Sequence, residues 1–191
     1  MAETLPTHFA PGRYGKADGR PGVQVCARRI GLLASVIARR GAAKTLAATL
    51  ERELDGDVLT VLGIAPGHWW IESASSARSA DDLQTMFEGS ASVFDLTDSR
   101  VVLEIGGPRI REALAKMLPI DLHPSVFRTG DVAVTIASHI GVTLWRMADA
   151  QTADAPQYRL AVARSYFGSF WRGFVASAAE YGCEVSPEVS P

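Results

Sequence analysis

Chemistry in a protein chain is concentrated in a few residue types, and here those residues are scattered. The four histidines, His8, His68, His123 and His139, never fall at a metal-ligating spacing such as HxxxH. The two cysteines, Cys26 and Cys183, stand far apart with no CxxC. Neither a structural zinc site nor a redox dithiol is expected, and Cys26 on a strand reads as a small core residue. No GxSxG elbow presents a serine nucleophile. Asp95 and Asp98 flank Leu96-Thr97, and Asp121 follows Pro119. Aspartates at such places bond local backbone N–H groups and shape turns. The sharper alternative is an acid at Asp95 or Asp121 that binds a folate or an amine. Gly15-Lys16 lacks the glycine spacing and the Ser/Thr of a phosphate loop. Gly106-Gly107-Pro108 follows a strand and opens a helix, as a dinucleotide loop does. GxGxxG is absent there, however, and Pro108 removes one N–H. That leaves packing ahead of anion binding at this corner. The expected inventory is no catalytic, no cofactor-binding and no metal-binding residue.

Aromatic residues carry a different signal. Trp69 and Trp70 are adjacent within HWWIE. On a strand their side chains point to opposite faces, so one of them should meet a loop, a ligand or another chain. Phe9 and Tyr14 sit in a Pro/Gly/Arg-rich lead-in that cannot build its own core. Aromatics are enriched at interface cores, and Phe9, Tyr14, Trp69 and Trp70 are the expected partner-facing residues. Arg28-Arg29 and Arg39-Arg40 lack the aromatic interleaving of a single-strand nucleic-acid surface.

The elements that must position these residues follow from periodicity. Val23 to Arg28 alternates as a strand, and Leu32 to Ala38 is a second apolar run. Ala42 to Leu54 is a helix with Leu46, Leu50 and Leu54 in a stripe and Gly56 after its end. Strands are expected over Val58 to Ala65 and His68 to Glu72. A helix opens at Ser79 and runs through Phe87, with Asp81 and Asp82 in its first turn. Ser92 to Gly130 reads as strand, turn, strand, the Gly-Gly-Pro corner, a helix with Ile110, Ala113, Leu114, Met117 and Leu118 on one face, and an Asp-rich exit. Val132 to Met147 has a hairpin signature, Tyr158 to Ala163 is a strand, and Ser165 to Gly182 is an aromatic-faced helix. The order β β α β β α β β α β β β α implies an α+β class with mixed, largely antiparallel sheets and packed helices. The expected organisation is a flexible arm over 1–21, one α+β domain over 22–183 or two halves joined near 90, and a loose tail over 184–191.

Bulk properties bound the function. With 47% hydrophobic and 21% charged residues the balance is globular. A net charge of −2 implies no general attraction to nucleic acid or anionic membrane. No apolar run approaches the roughly 20 residues of a membrane span, and no signal region opens the chain. A soluble, reduced, cytoplasmic protein is expected.

Over FDLTDSRVVLEIGGPRIREALAKMLPIDLHPSVFRTGD, with GIAPGHWWIE before it and VTLWR and RSYFGSFWRGFVASAAEYG behind, the chain resembles the gamma subunit of heterotetrameric sarcosine oxidase. The resemblance runs from about Val23 to Gly182. It implies a fold similar to the folate-binding domain of glycine-cleavage aminomethyltransferase. It also implies an assembly with alpha, beta and delta subunits that oxidatively demethylates sarcosine to glycine, giving formaldehyde or methylene-tetrahydrofolate and hydrogen peroxide. FAD, FMN, NAD and tetrahydrofolate are then expected in the partner subunits, zinc in delta, and no cofactor in this chain. The alternatives are the matching subunit of an N-methylglutamate dehydrogenase-type complex, a self-sufficient folate-binding transferase and a homodimeric scaffold.

Overall fold

In this computed structural model, residues 9–53, 59–148 and 155–187 are described. The chain forms two compact units, one from the segments before residue 29 and after residue 98, the other from residues 29–98.

The first unit begins with β1 (Gly12–Tyr14) and β2 (Val23–Arg28). In β2 the alternation is clean: Val23, Val25 and Ala27 are buried, Gln24 is exposed, and Cys26 and Arg28 are half-buried. Such a pattern gives one buried face and one polar face.

The second unit is continuous in sequence. Its strands are β3 (Leu32–Ala38), β4 (Leu59–Ala65), β5 (His68–Ser73) and β6 (Ala91–Asp95), and its helices are α1 (Ala43–Glu53) and α2 (Ala80–Met86). The strands pair in the antiparallel order β4-β5-β3-β6. Leu46 and Leu50 of α1, and Leu83 of α2, pack with Leu32, Ala34, Val36 and Ile71 in one core cluster. That is the apolar stripe of α1 at work. Its third leucine, Leu54, and the following Gly56 lie outside the described residues. Ser79 caps α2: its Oγ accepts from the Asp82 amide, and the Asp82 carboxylate accepts from the Ser79 amide at 2.8 Å. This reciprocal capping box satisfies two amides that the first helical turn cannot.

The chain then returns to the first unit through β7 (Arg100–Gly106), α3 (Ile110–Ala115), β8 (Val132–Ala137), β9 (Ile140–Arg146), β10 (Gln157–Ala163), α4 (Phe167–Ala178) and β11 (Cys183–Val185). The sheet order is β1-β11-β2-β7-β10-β9-β8. All pairs are antiparallel except β11 with β2. Leu103, Ile105, Leu144, Leu160 and Val162 face Ile110 and Leu114 of α3 and Phe167, Phe170 and Phe174 of α4 within one core. The α+β class with largely antiparallel sheets and packed helices is therefore what the chain adopts.

Two strands escape periodicity. The expected flexible arm contains β1, and the expected loose tail contains Glu184 and Val185 of β11. Each strand is three residues long, too short to display a period of two. The final helix is also shorter than expected. Arg164–Tyr166 and Ala179–Tyr181 are tighter 3-10 turns flanking α4.

The Gly106-Gly107-Pro108 corner is set by a backbone crossing. Gly107 has φ +113°, and a Cβ there would lie 2.5 Å from the Gly22 carbonyl oxygen. The same oxygen accepts from the Arg109 amide at 2.9 Å. Only glycine fits, by conformation and by space. Gly107→Ala should therefore destabilise the chain by about 2 kcal/mol or more. Urea denaturation monitored by tryptophan fluorescence would read this as a lower midpoint with an unchanged slope.

Candidate functional site

The solvent side of the first sheet carries a polar row. Register aligns Cys26 of β2 with Glu104 of β7, and Glu104 with Arg159 of β10. Arg159 Nε donates to Glu104 Oε2 at 3.3 Å, and Arg28 Nε stands 3.6 Å from the same oxygen. The next row aligns Gln24, Gly106 and Gln157. With no side chain at Gly106, a niche of about 240 Å³ opens between the two glutamines and is bounded by Cys26, Glu104 and Ser186. Burial, followed by the Glu104 charge, pushes the Cys26 thiol up. At neutral pH it stays a thiol, which is a poor nucleophile. This arrangement can hydrogen-bond a small polar group. It holds no activated nucleophile.

A serine and a histidine meet in the second unit. Ser35 Oγ and His68 Nε2 are 2.8 Å apart. Ser35↔Trp70 and Ile37↔His68 are the register pairs, so the contact is a diagonal between neighbouring strands. A nucleophilic serine needs exposure and a third group that orients the base. Ser35 is only 6% exposed. The pair links β3 to β5.

Other candidate groups are engaged locally. Asp95 Oδ1 accepts from the Thr97 amide, and Asp121 Oδ1 accepts from the His123 amide, each at 2.8 Å. These are the turn-shaping bonds expected of them. His123 Nδ1 lies 2.7 Å from Ser125 Oγ, His139 occupies an exposed hairpin tip, and His8 lies outside the described residues. Lys116 bonds Glu180 and donates to the Ser177 carbonyl. The Tyr181 ring lies 4.5 Å from Lys116 Nζ and 4.7 Å from the Arg109 guanidinium carbon, so two cations flank one π-face system. The Glu180 hydrogen bond pushes both Lys116 and Tyr181 up. This cluster joins the end of α3 to the turn after α4. Among the described residues, no group of three or more His, Cys, Asp or Glu could hold a metal ion. Cys26 and Cys183 are both free thiols, and burial pushes Cys183 up to about 12.

The aromatic residues expected at a partner surface are used in several ways. Phe9 is buried, with its ring 4.7 Å from Trp171 and 5.8 Å from Phe167. Tyr14 is half-buried, its ring edge-on to Trp171 at 6.2 Å. Trp69 packs partly buried against the α1/α2 core. Trp70, on the opposite face of β5 by alternation, is 6% exposed. The exposed large apolar side chains are others, including Phe94, Val134, Ile136 and Tyr166. Sequence reasoning passed over Val134 and Ile136 as hairpin residues. The available signal was an uncharged run, VAVTIA, whose bulky apolar residues alternate with small ones and a single threonine.

Burial pushes the His68 imidazole down from its usual 6.5. The unfolded chain then binds the proton more readily than the folded one, so stability rises with pH across that interval. The contribution is complete above pH 6.5 and is lost as pH falls from there towards the lower folded value. His68→Gln removes the titration and keeps a polar side chain. The expected result is a flatter stability profile on that acid side, measured by urea midpoints across the range.

No protein-family model matches the chain. Sarcosine oxidase subunit gamma of Corynebacterium sp. strain U-96 is 33% identical over 97 residues, which are 49% of this chain and 47% of that one. The same-named protein of an Arthrobacter species is 33% identical over 87 residues, 45% of this chain and 43% of its own. The matched stretch thus spans about half the length of these curated relatives. Among solved structures, heterotetrameric sarcosine oxidase from Corynebacterium sp. U-96 aligns with a TM-score of 0.71 and 23% identity, over 86% of this chain and 87% of that chain. The chain therefore has a fold found in heterotetrameric sarcosine oxidase and, over about half its length, sequence similarity to the gamma subunits of that enzyme.

Proposed function

We propose that this chain is the gamma-type subunit of a heterotetrameric sarcosine oxidase. The observation that carries the reading is the agreement of two comparisons. One is the 33% identity to curated gamma subunits; the other is the TM-score of 0.71 against the tetrameric enzyme. In this reading the assembly is an oxidoreductase that demethylates sarcosine to glycine. This chain serves it as an accessory subunit, beside alpha, beta and delta chains. FAD, FMN, NAD and tetrahydrofolate belong to the partner subunits.

The geometry supports an accessory role through what the reactive side chains are doing. Asp95 and Asp121 hold their own turns, and His68 is spent on Ser35. Arg28 and Arg159 share Glu104. A catalytic centre needs groups within hydrogen-bond reach of a reacting atom, with ionisation tuned to the task. Here the tuning runs the other way. The Cys26 and Cys183 thiols are pushed up, away from the thiolate form.

The test is biochemical. Purified alone from a heterologous host, the chain should lack flavin absorbance and produce no peroxide from sarcosine. Tagged and recovered from its native host, it should bring down a large flavin-bearing chain together with sarcosine-dependent peroxide formation. Turnover of sarcosine by the isolated chain, or recovery from the native host without a flavoprotein, would overturn the reading.

A further inference from the structure

Sheet edges are hazards that proteins blunt with charge, shortness, bulges or cover. The described sheets have four edge strands: β1 and β8 in one, β4 and β6 in the other. Three carry such devices. The first, β1, is three residues long and places Arg13 at its centre. In β4 the register shifts between Gly63 and Ala65, and β6 ends on exposed Asp95. The strand β8, VAVTIA, has none of them. It is six residues long, without charge, proline or glycine, and pairs with β9 in unbroken register.

Its geometry fixes what it offers. Ala137 and Ile140 flank a two-residue turn at Ser138 and His139. In such a hairpin the residues flanking the turn exchange hydrogen bonds, and bonded pairs then alternate. Ala137, Thr135 and Ala133 therefore bond to β9. Val132, Val134 and Ile136 direct their N–H and C=O groups away from the sheet. The side chains of Val134 and Ile136 are 59% and 48% exposed on the face opposite the helices. A Cβ built at Gly141, across from Ile136, would meet nothing within 4 Å. Both ends of the strand are pinned. The Ser138 amide donates to the Met117 carbonyl at 2.8 Å, and the Arg146 amide donates to the Asp131 carbonyl at 3.0 Å. A rigid row of outward amides and carbonyls beside an apolar strip is what an added β-strand recognises.

We propose that β8 is the docking edge for an extended segment of a partner subunit. This segment adds as an eighth strand to the sheet and sets apolar side chains against Val134 and Ile136. The proposal rests on the subunit reading above. That reading also selects the occupant: the enzyme whose fold the chain matches is heterotetrameric, so the covering segment is assigned to a different chain, and a second copy is the alternative that the test separates.

The test is amide hydrogen exchange on the isolated chain and on the complex recovered from the native host. In the isolated chain the Val134 and Ile136 amides should exchange fast, while Thr135 and Ala137 are already protected. In the complex the Val134 and Ile136 amides should slow by about tenfold or more, with Thr135 and Ala137 changed little. Ile136→Lys should leave the thermal midpoint of the isolated chain in place and reduce recovery of the complex by about tenfold. If the complex assembles and both amides exchange as fast as before, this docking edge is wrong and the subunit reading stands. If they are protected in an isolated chain of dimeric mass, a second copy is the occupant and the proposal fails. If no flavin-bearing chain co-purifies, the subunit reading falls and the proposal falls with it.

Discussion

The first unit depends on a backbone crossing at Gly22. Its carbonyl receives the Arg109 amide, its own amide donates to the Tyr181 carbonyl, and the Val23 amide donates to the Gly182 carbonyl. Three segments far apart in sequence thus share one point: the start of β2, the corner before α3 and the exit from α4. A side chain could not be inserted there. A Cβ on Gly22 would meet the Tyr181 oxygen at 2.8 Å. Buried backbone groups must find partners, and at this crossing they find one another. The Arg109–Tyr181–Lys116 stack with Glu180 closes over the same region from the side-chain level. Exposed ion pairs add little by themselves. Here the weight rests on the backbone bonds and on the core beneath.

That core is aromatic. Phe9, Phe167, Phe170, Trp171 and Phe174 form a chain of ring contacts along one face of α4. Large flat side chains bury much area per residue and make favourable offset contacts. The lead-in containing Phe9 is thereby committed to its own unit. The polar chemistry is committed too. Asp95 and Asp121 hold turns, Glu104 is shared by two arginines, and the two thiols sit where burial keeps them protonated.

Long elements were legible in the sequence because their periods have room to repeat. The α1 stripe, the Ser79 cap, the β7–α3 corner and the β8–β9 hairpin all follow from residue type and spacing. What escaped was short or non-local. Neither Gly12–Tyr14 nor Cys183–Val185 displays a period; the first exists as a strand because β11 lies beside it, and the second because it lies between β1 and β2. The row Cys26–Glu104–Arg159 could not be read either. Its members come from three strands, and only register brings them together. Asp95 and Asp121 were legible as turn formers since their partners lie two residues on. The apolar edge of β8 was visible as composition, but its exposure depends on sheet order, which single-sequence patterns do not carry.

The position of β11 has a consequence for how the molecule is made. This strand lies between β1 and β2, so the first sheet is completed by residues that leave the ribosome more than 150 positions after its first strands. The second unit uses residues 29–98 alone and can close as soon as they emerge. Pairings of high sequence separation form slowly and expose strand edges while they wait. During synthesis β2 therefore presents an open edge for most of the time the chain is being extended. Until β11 arrives, that edge is open to pairing with other chains.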